Sequence, residues 1–212
     1  SGLQFAVAGS SYEKLTEALS EMRPETGEAA EEGADFIDIG AESTRPGHTP
    51  ISAEEELARL MPVLERFAAE SSTPISVDTM KAKVAAAAVA AGARIINDIW
   101  GLQRDPDMAR VAAEHGVPVI AMHNRAEADA SIDILADMRD FFARTLDIAA
   151  RAGIPRDNIV LDPGIGFGKT PRQNLVVLRH LAELRQTFGL TLPHWRAGVD
   201  HILEQILRPH SS

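Results

Sequence analysis

Five short apolar runs, each closed by a polar cluster and followed by a new stretch of helical periodicity, restrict what this chain can fold into. Ala34-Asp-Phe-Ile-Asp-Ile-Gly40 leads into Ala41-Glu-Ser-Thr-Arg-Pro-Gly47, and Pro74-Ile-Ser-Val-Asp78 stops on a carboxylate. Ala93-Arg-Ile-Ile-Asn-Asp-Ile99 runs into Trp100-Gly101, and Val117-Pro-Val-Ile-Ala-Met122 ends in His123-Asn124-Arg125. Asn158-Ile-Val-Leu-Asp162 opens onto Pro163 and the glycines 164, 166 and 168. Runs this short and this apolar fit strands buried on both faces, as in parallel sheets.

The stretches between them read as helices. Ser52-x-x-Glu55 is a capping box ahead of Leu57, Leu60, Met61, Leu64 and Phe67, with Pro62 expected to kink that helix. An alanine-rich helix from Thr79 to Ala91 stops at Gly92, and Asp105-Pro106 starts another. A long helix from Ser131 to Ala152 turns Ile132, Leu135, Met138, Phe142, Leu146 and Ala149 inward. Thr170-Pro171 supplies an N-cap and a first-turn proline for a helix whose apolar line is Leu175, Leu178, Leu181 and Leu184.

Strand-helix alternation predicts a parallel sheet with crossover helices. Polar clusters after five successive strands favour a TIM (β/α)8-type barrel over an open doubly wound sheet, because in a barrel those loops share one mouth. Leu3–Ala8 adds a weaker first strand, followed by a capping box at Ser10. That makes about six recognisable βα units in a single domain over residues 1–212. A complete barrel averages about 250 residues, so the expectation is an incomplete one. After Gly189 only Leu190-Thr-Leu-Pro-His194 and the line Val199, Ile202, Leu203, Ile206 and Leu207 remain.

A formal charge of −10 and 5% aromatics argue against a nucleic-acid surface, which needs a basic patch or stacking platforms. No apolar run approaches the roughly 20 residues that span a membrane, and Glu13 and Lys14 precede any long apolar region, so no signal peptide is expected. The chain has no cysteine, which removes disulfides and thiolate chemistry and points to a cytoplasmic setting.

Side by side, the strand ends offer Asp38 and Glu42 to Arg45, then Asp78, Asn97 and Asp98, Met122-His123, and Asp162. Carboxylates and an amide around one mouth suit the donor edge of a flat heterocycle, since an ionised Asp presents paired acceptors and Asn both donates and accepts. Alternatively such acids cap helices or pair with arginines. Gly164 to Thr170 imitates a P-loop but has Pro163 where that pattern needs glycine. His123 has no second histidine at ligand spacing, which favours a structural or substrate-edge role over a metal. Thr44-Arg45-Pro46-Gly47 suits a phosphate or an ordinary turn, and Lys81 with Lys83 reads as a solvated face.

IDIGAESTRPG, ISVDT, IINDIWG, a strand ending in MH, and LDPGIGFGKT, in this order, resemble dihydropteroate synthase of folate biosynthesis, in the pterin-binding barrel superfamily. The resemblance covers about Ala34 to Gly189. It implies condensation of p-aminobenzoate with 6-hydroxymethyl-7,8-dihydropterin diphosphate, with Mg²⁺ as cofactor and those two small molecules as partners; a homodimer stays open. It further implies that Asp78, Asn97 and Asp162 hold the pterin, with Ile99 and Met122 lining its pocket and Gly166 and Phe167 flanking it. Thr44, Arg45 and Lys169 are the implied catalytic set. The family's N-V-T-P-D-S-F-type motif with its metal-binding asparagine, its S-R-K motif and its strand-borne R-x-H motif have no counterpart, since Arg208-Pro209-His210 follows a helical pattern. The alternative is a non-catalytic pterin-binding homologue.

Overall fold

The computed structural model describes residues 36–43 and 49–188. The strand expected at Leu3–Ala8, the helix after Ser10, Thr44, Arg45 and everything from Gly189 onward lie outside the described residues.

The elements are β1 (Ile37–Gly40), α1 (Ala53–Glu70), β2 (Ile75–Asp78), α2 (Ala82–Ala90), β3 (Ile95–Asp98), α3 (Met108–His115), β4 (Val119–Met122), α4 (Ile134–Ala152), β5 (Ile159–Asp162), α5 (Pro171–Arg179) and α6 (Leu181–Thr187). The strands form one sheet in the order β1-β2-β3-β4-β5, every neighbouring pair parallel. Sequential parallel order with a helix in each crossover is the plan of a (β/α)8 barrel, and the described sheet is a partial one. No helix among the described residues is long and apolar enough to cross a membrane.

Register sorts the strand side chains into two rows. Ile37, Ile39, Ile75, Val77, Ile96, Val119, Ala121 and Ile159 pack into the main core with α1, α2 and α3. At roughly 1.5–3 kcal/mol for each large aliphatic side chain removed from water, this row supplies much of the drive to fold. The alternate residues face the other way, as a period of two requires: Asp38 pairs with Ser76, Gly40 with Asp78, Asp78 with Asn97, Asn97 with Ile120, and Met122 with Asp162. A second core joins α4 to α5 and α6 through Ile134, Met138, Phe141, Phe142, Val177 and Leu184.

Helix ends follow the expected chemistry in most places. Ser52 Oγ accepts from the Glu55 amide at 3.1 Å, although the Glu55 carboxylate turns to Arg59 instead of completing the box. Asp133 caps α4, and Gly153 ends it in the left-handed region at φ 84°. Thr170 and Gln173 form a complete capping box with Pro171 in the first turn. One helical face departs from expectation. Leu175, Leu178 and Leu181 are 68%, 49% and 40% exposed, whereas Gln173, Val177 and Leu184 are buried. The cause is a break at His180 together with the capping box, which turns Gln173 inward, where its Nε2 donates to the Asp129 carbonyl.

Candidate functional site

The row opposite the helices carries the polar residues. Asp38, 7% exposed, accepts from Asn97 Nδ2 at 3.1 Å through Oδ2, while its Oδ1 is buried without a partner. Asp78 lies between β1 and β3 in register, and its Oδ1 is likewise buried and unpartnered. Room for it comes from Gly40, where an added Cβ would stand 3.1 Å from the Asp78 Cβ. Burial pushes Asp78 up to about 8, with Asp38, Glu56, Asp98 and Glu42 adding to the effect. Burial also raises Asp38, against the pull of the nearby Ser76 hydroxyl and the Asn97 hydrogen bond. At neutral pH a protonated Asp78 both donates and accepts.

Asp98 is different. It belongs to the core-facing row, and its carboxylate accepts from the Trp100 amide at 2.9 Å and the Leu102 amide at 2.8 Å. Asp98 therefore fastens a turn containing Leu102 at φ 66° and caps no helix. Ile99 is buried in the same turn. For Asp38 and Asp78, the unpartnered oxygens leave acceptor capacity that capping does not use.

Asp162 closes β5 opposite Met122, and its Oδ1 accepts from the Gly164 amide at 2.8 Å. The glycine loop then lies directly on the chain after β4. A Cβ at Gly164 would fall 2.1 Å from the His123 carbonyl oxygen, and one at Gly168 2.4 Å from that of Arg125. Lys169 is buried with its ammonium donating to the carbonyls of Gly164 (2.8 Å), Phe167 (3.0 Å) and His123 (3.2 Å). Burial brings Lys169 down to about 8, although Asp162 and Asp137 oppose that shift. Gly166 at the loop's tip is exposed, its amide held by Asn174 Oδ1 at 2.9 Å, and Phe167 is half-buried.

His123 is fully buried, its ring edge-on to Phe141 at 4.9 Å. Nε2 lies 3.0 Å from Asp137 Oδ2, while Arg125 donates to Oδ1 of the same carboxylate at 2.7 Å. Burial, helped by Lys169, lowers His123 to about 4, so the ring is neutral. Because an ionised carboxylate only accepts, the proton belongs on Nε2. Of the structural and substrate-edge roles expected for His123, this packing favours the structural one.

The structure thus gathers Asp78, Asn97, Met122 and Asp162 in one row and sets Ile99, Gly166, Phe167 and Lys169 on the loops that follow. Sequence reasoning placed Asp38 at the mouth but left it out of the chosen set; its spacing of two from Gly40 was the usable signal. Lys81 needs correction. Lys83 does lie exposed against the exposed Glu54, but the Lys81 ammonium joins Glu42 and Glu56, whose side chains are 5% and 0% exposed. Glu56 falls in line with Leu60 and Leu64 at helical spacing, so an acid on the apolar face marked the missing partner. Among the described residues no three His, Asp or Glu side chains stand together as a metal site.

Residues 6–199 match the family model described as pterin binding enzyme. Dihydropteroate synthase of Bacillus subtilis is 51% identical over 173 residues, 82% of this chain and 59% of the relative. That of Clostridium beijerinckii is 45% identical over 159 residues, 75% of this chain and 59% of the relative. The chain thus spans about three fifths of the length of these curated relatives. Among solved structures, a Clostridium difficile dihydropteroate synthase in the presence of pteroic acid superposes with a TM-score of 0.77 at 37% identity, covering 86% of this chain and 71% of that one. The Xanthomonas albilineans enzyme with 4-aminobenzoic acid gives 0.76 at 34% identity, covering 95% and 83%.

Proposed function

The chain belongs to the pterin binding enzyme family, and on that premise we propose that it carries the pterin half of a dihydropteroate synthase site. The reaction joins p-aminobenzoate to 6-hydroxymethyl-7,8-dihydropterin diphosphate. One observation carries the reading: Asp38 and Asp78 present buried, unpartnered acceptor atoms beside Asn97, in the row that also holds Asp162. Buried polar atoms without partners are costly, at about 1–3 kcal/mol each, and a ligand with a donor edge relieves that cost.

Asp78, Asn97 and Asp162 hold the amide and amidine edges of the pterin, and Ile99 and Met122 wall its pocket. Chemistry begins when the bond from the pterin methylene carbon to the diphosphate oxygen breaks and the oxygen keeps the electron pair. The aniline nitrogen of p-aminobenzoate then bonds to that carbon and loses a proton. No step requires a protein nucleophile, so the residues act by positioning and charge stabilisation. Thr44 and Arg45 serve the diphosphate and p-aminobenzoate side. Lys169 has its ammonium engaged by three carbonyls, which suits holding the loop that presents Gly166 and Phe167.

Mg²⁺ has no three-donor set among the described residues. Phosphate oxygens and water supply most ligands of such an ion in nucleotide-type sites, so the diphosphate is its natural carrier.

Calorimetry with 6-hydroxymethylpterin tests the reading. Binding to the unmodified chain that Asp162→Ala abolishes supports it, and absence of pterin binding overturns it. Consumption of p-aminobenzoate only with pterin diphosphate and Mg²⁺ supports the synthase activity. Pterin binding without turnover would instead select a non-catalytic homologue.

A further inference from the structure

Asp38 and Asn97 meet although β2 lies between their strands. Two strand spacings amount to about 9.6 Å, so both side chains lean over β2 to close to 3.1 Å. The β2 residue opposite Asp38 is Ser76, whose side chain is small enough to leave that path open, and Asp78 stands opposite Asn97. Asp38 is buried, whereas Asn97 is half-buried, so one member of the pair is fixed inside and the other borders the mouth. The main chain of Asn97 is pinned separately, because its carbonyl accepts from the Thr79 amide at 3.1 Å. The contact with Asp38 therefore acts on the side chain of Asn97.

A carboxamide has two orientations that exchange its oxygen and its NH2 group, and its neighbours choose between them. Asp78 keeps its proton up to about 8 beside Asp38, so at neutral pH the charge of this pair rests on Asp38. An ionised carboxylate only accepts, so the NH2 group of Asn97 faces it; the reverse orientation would set oxygen lone pairs against each other. What Asn97 offers a ligand is then fixed as Oδ1, an acceptor, and the second N–H, a donor. The amidine edge of a pterin has the matching order, because its ring nitrogen N1 accepts and its 2-amino group donates. Resting on the proposed function above, we infer that Asp38 is a positioning residue that sets specificity. By holding the Asn97 amide one way round, it makes the site select an amidine-edged ring over the corresponding dione, in which a carbonyl replaces the amino group and N1 carries a hydrogen.

The test variant is Asp38→Asn in the full chain, which keeps the size of the side chain and can pair with Asn97 in either orientation. The side-chain NH2 signals of Asn97 in NMR spectra read the contact directly. In the variant they should shift and exchange with water at least about fivefold faster, the loss of one charge-assisted hydrogen bond. Calorimetry compares 6-hydroxymethylpterin with 6-hydroxymethyllumazine, the dione. The ratio of their affinities should fall at least about fivefold in Asp38→Asn. In Asn97→Ala, which has no amide to orient, adding Asp38→Asn should change that ratio by less than about twofold. Unchanged NH2 signals overturn the inference. So does a loss of pterin affinity at an unchanged ratio, which would mark Asp38 as merely structural. A fall in the ratio that persists in Asn97→Ala also overturns it, since Asp38 would then read the ring itself. Failure of the unmodified chain to bind pterin strikes the proposed function and the selection with it, while the NH2 signals still judge the contact between Asp38 and Asn97.

Discussion

The two ends of the described sheet treat polar groups in opposite ways. At β1 to β3, Asp38 and Asp78 each keep a buried oxygen unpartnered, and Asp78 holds its proton up to about 8. At β4 and β5 the groups largely satisfy one another: Lys169 is filled by three carbonyls, Asp137 takes both His123 and Arg125, and Asp162 accepts from Gly164. Even there, His123 Nδ1 and Arg125 Nε remain without partners. One end stores acceptor capacity, and the other spends its hydrogen bonds on holding a loop against the backbone. The proposed pterin site rests on these unsatisfied carboxylates, in a row that faces away from the core, more than on charge or motif alone.

The largest effect should come from breaking the self-satisfied end. Gly164→Ala puts a methyl 2.1 Å from the His123 carbonyl oxygen at φ 60°, and a thermal melt should show at least about 3 kcal/mol of destabilisation. Gly166→Ala, with φ 90° but nothing within 4 Å, should cost about 1 kcal/mol. Equal losses would mean that the loop is not seated on β4. Next comes Lys169→Met, which leaves three carbonyls without their donor and should cost about 2–3 kcal/mol while the folded fraction still binds pterin. Direct loss of pterin affinity in proportion would instead place Lys169 against the ligand.

The acidic end should break differently. Asp78→Asn should weaken pterin binding by about 2 kcal/mol, measured by calorimetry, with no loss of stability at pH 7. Its stability should even improve on the alkaline side. Folded Asp78 keeps its proton to about 8 and the unfolded chain releases it near 4, so the native state binds more protons between those values. Stability of the unmodified chain therefore falls as pH rises from about 4 to about 8, by at least about 2 kcal/mol from this group, and Asp78→Asn should remove that fall. His123 acts in the opposite sense: lowered to about 4, it withdraws stability as pH falls from about 6.5, and denaturant titrations of the unmodified chain and of Asp78→Asn across pH separate the two slopes.

Much of this molecule was legible in the sequence because period and punctuation agree in its middle. Strands at Ile37–Gly40, Ile75–Asp78, Ile95–Asp98, Val119–Met122 and Ile159–Asp162 all fall inside the apolar runs, and Asp78, Asn97, Met122 and Asp162 share a row. What was not legible depended on partners far along the chain. Lys81 resembles Lys83 until Glu42 and Glu56 are brought to it across 39 and 25 residues. Leucines 175, 178 and 181 look like a buried stripe, yet one capping box rotates the helix so that Val177 enters the core instead. Local propensity reports that a helix exists; tertiary contacts decide which way it faces.

The two alternating rows of the strands also bear on how such a molecule can change over generations. Asp78 and Val77 are neighbours in the chain but serve opposite faces, as do Asn97 and Ile96. Losing or gaining one residue at the start of β2 would carry Asp78 to the helix side and Val77 to the opposite face, and in β3 the same slip would exchange Asn97 with Ile96. Such a slip would break the core row and the polar row at once, so a change of length inside a strand costs more than one outside it. Variation is free to accumulate in length only beyond their ends, where a residue more or less leaves the alternation intact.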